Sequence, residues 1–178
     1  MQYTTDWVHA IQDKDDLRQF DPLAYKKDSW FDALDRQSVI FVPRDTLATK
    51  HEIDYLFDVI RKNFKFQDDI VTYGKVDYTA TPDEMLVKMA GDCEDFSMMF
   101  YYLLASKGFT NDTMNVYSGY YIHDVPEPVG HNVVAVQLAD GSEYVLDIML
   151  DKPILASNYM NRYFKPRHRI DYKHVAAY

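Results

Sequence analysis

The only cysteine of this 178-residue chain, Cys93, stands in the block Gly91-Asp92-Cys93-Glu94-Asp95-Phe96, wedged among three carboxylates. A thiol attacks as its thiolate, and it reaches that form beside a base, a cation or a helix N-terminus. Negative neighbours oppose it. Two readings of the block therefore compete. In one, Cys93 is a small buried apolar residue in an acidic first helical turn, where carboxylates are favoured by the helix dipole. In the other, it is a nucleophile at the positive end of a helix, and the acids serve a second purpose. A single Cys excludes an internal disulfide and any multi-Cys zinc site.

A nucleophilic thiol needs a base, and the base needs an orienter. The six histidines are His9, His51, His123, His131, His168 and His174. Among them only His131 opens a run that reads as a core strand, "HNVVAVQL". Farther along, Asp147 interrupts the apolar run "EYVLDIML". A carboxylate there is costly unless something polar pairs with it, and His131 on the neighbouring strand is the natural partner. The chain thus holds Cys, His and Asp in that order, on a helix start and two adjacent strands.

Register tests the pairing. A two-residue turn at Asp140–Gly141 would set Val134 opposite Asp147 and turn His131 to the other face. A three-residue loop, residues 139–141, sets Met149 opposite His131. Asp147 then shares the His131 face one diagonal step away, ~7–8 Å between backbones and bridgeable by side chains. Gly141 suits the left-handed position of such a bulged turn. A Cys-His-Asp constellation therefore predicts the odd-length loop.

The elements that must carry these residues are legible from periodicity. Residues 5–20 show a short amphipathic pattern, and "SVIFVP" at 38–43 a strand or extended run. From Thr49 to Phe64, apolar Ile53, Leu56, Phe57, Ile60 and Phe64 recur at spacings of three and four, a helix. "TPDEMLVKMAG" places Thr81 as N-cap and Pro82 at the first helical position, and predicts a short helix ending at Gly91. Cys93 then begins a helix that is apolar nearly all round from Phe96 to Ala105 and stops at Gly108, so it is buried. Strands follow at "MNVYSGYYI", "HNVVAVQL" and "EYVLDIML", with a proline-rich loop at 123–130 and a last short helix near 155–162. Helices first and antiparallel strands afterwards make an α+β fold, with N-terminal helices and a central Cys93 helix packed on a sheet. One domain is expected over 1–178: a helical part at 1–67, a core at 68–151 and a C-terminal extension at 152–178.

Composition narrows the classes. Apolar residues make up 47% and aromatics 15%, which supports a packed core rather than disorder. The net charge of −9 argues against a phosphate-tracking nucleic-acid binder. The basic stretch at 161–169 is a local exception, read as solvated surface. No run approaches the ~18 apolar residues of a membrane span. The N-terminus lacks a basic segment followed by an apolar run. A cytoplasmic location is expected, or a periplasmic one if a preceding signal has been removed.

The stretch "TPDEMLVKMAGDCEDFSMMFYYLLASKGF", then "GHNVVAV" and "GSEYVLDIM", resembles the bacterial transglutaminase-like cysteine proteinases of the papain-like, transglutaminase-core superfamily. The match runs from Asp68 to Asp151. The resemblance implies Cys93 as nucleophile, His131 as general base and Asp147 as the orienting residue. It implies a cysteine peptidase acting on a protein substrate, with amine transfer by the same triad or a non-catalytic binding module as alternatives. It also implies Ca2+ held by Asp92, Glu94 and Asp95, a hard cation on oxygen ligands. The chain departs from the family where relatives commonly carry a Trp before the proline of the short helix: Tyr78 and Thr79 stand there. Ile148 follows Asp147 where Asn is frequent.

Overall fold

Helix α1 (Lys50–Asn63) begins where its sequence says it should. Thr49 accepts a hydrogen bond from the Glu52 backbone N–H, and the Glu52 carboxylate accepts one from Thr49 N, a reciprocal capping box. The computed structural model describes residues 49–80, 82–106, 109–110 and 112–170. The expectations for 5–20 and 38–43, the Thr81 cap and the Gly108 stop lie outside the described residues.

Strand β1 (Lys65–Phe66) follows, then the single turn α2 (Asp69–Thr72), α3 (Pro82–Lys88) and β2 (Ala90–Gly91). The expected helix to Gly91 stops at Lys88 instead. Met89 takes a left-handed φ of 52°, which ends the helix, and Ala90 and Gly91 turn aside to pair with Lys65 and Phe66 in parallel. Helix α4 (Cys93–Ser106) comes next, with Cys93 as its first residue. Its apolar circumference is matched by burial: every residue from Phe96 to Leu104 is inaccessible.

Among the described residues, five strands form one antiparallel sheet: β3 (Met114–Tyr121), β4 (Val129–Gln137), β5 (Glu143–Leu146), β6 (Ile154–Leu155) and β7 (Phe164–Ile170), in the order β6-β5-β4-β3-β7. Helix α5 (Ala156–Arg162) lies between β6 and β7 in the chain. The basic stretch at 161–169 ends α5 with Asn161 and Arg162 and continues into β7, whose residues 165–169 are exposed along the sheet edge.

Strand β4 is buried on both faces, and its alternation sorts two cores. Val134 and Val136 join α1 and α4 in one cluster with Ile53, Phe57, Phe100 and Leu104. Val133 and Ala135 join Val145, Ala156, Tyr159 and Phe164 on the other face, under α5. The fold is α+β, a sheet with helices on both faces.

The β4–β5 hairpin takes the odd register. Val134 pairs with Leu146 and Gln137 with Glu143, which would set Met149 opposite His131 if the ladder ran on. Leu138 N donates to Ser142 O at 2.8 Å, and Gly141 has φ +82°, the left-handed position of the bulged turn. The ladder does not run on, however. β5 ends at Leu146, so Asp147 lies one residue past the strand, in a turn closed by Leu150 N to Asp147 O at 2.9 Å.

Candidate active site

His131, third residue of β4, meets Asp147 across the end of the hairpin. Its Nε2 lies 2.7 Å from Asp147 Oδ1, and both side chains are buried. The same oxygen accepts from Met149 N at 2.9 Å, and Oδ2 accepts from the Tyr159 hydroxyl at 2.6 Å. Both oxygens of a carboxylate that is 1% exposed are therefore occupied. With Nε2 committed to Asp147, Nδ1 is the ring nitrogen left for proton transfer. The ring also packs edge-on against Tyr121 and Phe164.

Cys93 is the first residue of α4. The backbone N–H of Asn132, the residue after His131, points at the thiol and favours its thiolate. The opposing forces are stronger: burial first, then the charges of Glu94 and Asp92, push the thiol well above its ordinary range. Glu94 turns toward Cys93. Its Oε2 accepts the S–H at 3.2 Å.

The acids gather beneath that helix start. Asp95 folds back under its own turn: Oδ1 accepts from Ala80 N at 2.7 Å and Oδ2 from Asp92 N at 3.4 Å. A Cβ on Gly91 would sit 2.5 Å from Asp95 Oδ2, so the block needs glycine at its head. The parallel β1–β2 pairing sets Lys65 beside Ala90 and Phe66 beside Gly91, three residues before Asp69, which sequence reasoning missed. Asp69 Oδ2 accepts from Tyr78 N at 2.6 Å, while Oδ1 is buried without a partner. Asp92 Oδ1 is likewise buried without one. Carboxylate oxygens of Asp69, Asp92 and Asp95 converge within 4.8 Å of one another, as do those of Asp69, Asp77 and Glu94.

Burial and mutual repulsion hold these acids toward their protonated forms. Asp69 is pushed up to about 7 by burial and then by Asp92, and Asp95 to about 8 by burial against the pull of the Ala80 N–H. Asp92 and Glu94 are both raised, chiefly by burial, and share a hydrogen bond that requires one of them to hold a proton. Orphaned buried oxygens among uncompensated carboxylates are the donor set of a hard divalent cation, so the residues present fit Ca2+. No single sequence signal marks Asp69 or Asp77, because their approach depends on a two-residue long-range pairing.

A family model described as a transglutaminase-like domain matches residues 22–178, and the chain belongs to that family. The fold is similar to the solved structure of Legionella pneumophila LapG, with a TM-score of 0.60 and 20% identity over 92% of this chain and 83% of that one. A calcium-bound structure of the same protein gives 0.62 and 21% over the same shares. An EGTA-treated one gives 0.60 and 20% over 92% and 81%. No curated protein matches the chain. Among the described residues, no helix is long and apolar enough to cross a membrane.

Proposed function

We propose that this chain is a cysteine peptidase of the transglutaminase-like type, with Cys93 as nucleophile, His131 as general base and Asp147 as orienting residue. The observation that carries the reading is the buried His131–Asp147 contact at 2.7 Å, one residue from the Asn132 N–H that meets the thiol. Asp147 accepts from Nε2 and so fixes the tautomer with a lone pair on Nδ1. Nδ1 takes the thiol proton, the thiolate attacks the substrate carbonyl, and the leaving amine collects the proton from the imidazolium. Water activated by His131 then releases the acyl group. N–H groups at the start of α4 stabilise the oxyanion. Thr79 is the candidate side-chain donor, since its hydroxyl is buried without a partner.

Asp69, Asp77, Asp92, Glu94 and Asp95 would hold calcium. The bound ion would supply positive charge that offsets the acids around the thiol. Support comes from the orphaned oxygens of Asp69 and Asp92, and from structures of the similar LapG fold in calcium-bound and EGTA-treated forms.

The test is iodoacetamide labelling of Cys93 together with product analysis on unstructured protein substrates, with and without an added primary amine. Fast labelling at neutral pH and cleavage lost in Cys93→Ala and His131→Ala support the reading. Amide products that contain the added amine would assign acyl transfer instead. A thiol that labels slowly with and without Ca2+ would leave a non-catalytic module.

A further inference from the structure

Helix α5 reaches the same carboxylate from the sheet's other side. Tyr159 stands on α5, fully buried, and donates its hydroxyl to Asp147 Oδ2 at 2.6 Å. Its ring stacks on Tyr163 and tilts against Phe164, so two aromatic side chains hold it in place. A phenol that only filled this core would need no oxygen: the cluster around it is otherwise Val133, Ala135, Val145, Ala156 and Phe164. Burying an unpaired hydroxyl costs a hydrogen bond's worth of desolvation, whereas Phe would pack there freely. The hydroxyl is retained against that apolar background and aimed at one atom.

We propose that Tyr159 is a positioning residue for the Cys93 site: it locks the rotation of the Asp147 carboxylate, and through it the tautomer and tilt of His131. The inference rests on the peptidase reading for its consequence in catalysis, but not for the geometry itself. Asp147 lies past the end of β5, in a turn, where no ladder partner stands opposite it. Met149 N and His131 Nε2 both address Oδ1. Without a donor at Oδ2 the carboxylate could turn and offer either oxygen to the imidazole. The phenol removes that choice, because a hydroxyl facing a carboxylate must donate.

Among the described residues, the titratable groups around this chain of contacts come from four elements. His131 faces it from β4, Tyr121 from β3, Tyr163 from α5, and Cys93 from α4. Burial, then the Asp147 charge, holds the Tyr159 hydroxyl protonated well beyond the ordinary tyrosine range, so it remains a donor throughout the working pH range of any thiol enzyme. Cys93 also acts on the Tyr159 hydroxyl electrostatically, which places the phenol, the carboxylate and the thiol in one electrostatic neighbourhood. The C-terminal extension thereby belongs to the site, although the sequence pattern stops at Asp151.

The test is Tyr159→Phe, which keeps the ring and deletes the donor, with Tyr163→Phe as a control that removes a phenol from the same stack. In Cys93→Ser protein without substrate, NMR reads the His131 Nε2–H proton and the ring 15N tautomer. Tyr159→Phe is expected to move that proton downfield, because the carboxylate loses a competing donor, and to broaden it as the carboxylate turns between its two oxygens. Tyr163→Phe should leave both unchanged. In active enzyme, kcat should fall about tenfold with KM unchanged, the loss expected for one hydrogen bond to a charged group. Replacing Tyr159 with 3-fluorotyrosine, a stronger donor of nearly the same shape, should move the proton upfield, and it provides the measurement if Tyr159→Phe does not fold. A His131 signal indifferent to both replacements would overturn the inference. A shifted signal in a chain that cleaves nothing would keep the inference and remove the peptidase reading.

Discussion

The thiol of Cys93 donates to Oε2 of Glu94 at 3.2 Å, so the proposed nucleophile is hydrogen-bonded to an acid. With the acid in place the thiol is held protonated, first by burial and then by Glu94 and Asp92. Whatever draws Glu94 away or neutralises it should therefore release the thiolate. In chelator, Glu94→Gln should raise the iodoacetamide labelling rate of Cys93 at pH 7 by about tenfold, the effect of roughly one unit on a thiol. In the unsubstituted protein, Ca2+ should raise the rate in the same direction, and in Glu94→Gln the stimulation should shrink. Equal rates for both proteins in chelator would show that Glu94 does not govern the thiol.

The acid cluster makes a prediction about stability that needs no substrate. Asp69 is pushed up to about 7 and Asp95 to about 8 in the folded chain, against the ordinary carboxylate value of 3.8. Between roughly pH 4 and 8 the folded state thus holds protons that the unfolded chain has released. Stability in chelator must fall as pH rises through that window, the reverse of the usual behaviour of salt-bridged carboxylates. The melting temperature in EGTA should drop by about 5 °C or more from pH 5 to pH 8. Calcium should restore it at pH 8 and do little at pH 5, where protons already neutralise the cluster. Differential scanning calorimetry at both pH values, with calcium and with EGTA, reads all four states. A calcium gain equal at the two pH values would exclude these acids as the ligands.

Asp147 is the point where three donors meet, and its substitutions should separate charge from geometry. Asp147→Ala strands His131 Nε2, the Met149 N–H and the Tyr159 hydroxyl in a buried space. The expected cost is about 2–4 kcal/mol of stability by urea unfolding, with at least about a hundredfold lower turnover. Asp147→Asn keeps an acceptor for His131 and Met149 and turns an amide toward the phenol, which can accept. It should unfold within about 1–2 kcal/mol of the native chain and keep more activity than the alanine variant. Equal losses in the two would mean that the negative charge, and not the orientation of His131, is what the site requires.

Local signals were readable wherever a short stretch encodes its own geometry. Thr49 and Glu52 announce the start of α1, Gly141 announces the bulged turn, and the register it sets brings His131 to Asp147. The Cys93 helix and its burial follow from a run of apolar residues on all faces. What stayed hidden depends on distant pairings. Asp69 reaches Asp92 only because two residues of β1 lie beside two of β2. Tyr159 is one of 15 tyrosines, and nothing distinguishes it until α5 packs on the sheet. The orientation of Glu94 toward the thiol is a rotamer choice inside a crowded acid cluster, which spacing does not report. β7 carries no strand signal, because "FKPRHRI" has a proline, three cations and a histidine and no apolar alternation, although its exposure was legible.

That last strand is admitted by a glycine, and the glycine stands opposite His131. Gly119 pairs with His131 on β4 and, on its other side, with Pro166 at the irregularity between β3 and β7. A Cβ there would press on the Lys165 carbonyl, lie 2.8 Å from the Phe164 ring and 2.9 Å from Pro166 Cα. Two of those neighbours are backbone and the third is a fully buried ring, so none can give way cheaply. Gly119→Ala should therefore push β7 from the sheet edge and cost at least about 2–3 kcal/mol, by overpacking rather than by lost contacts. Phe164 touches both Tyr159 and His131, so the displacement reaches the site. Hydrogen exchange should show earlier opening of 164–169 in the variant, with loss of turnover beyond that explained by the unfolded fraction. A Gly119→Ala protein with native stability and unchanged exchange in β7 would show that the strand does not depend on this close approach.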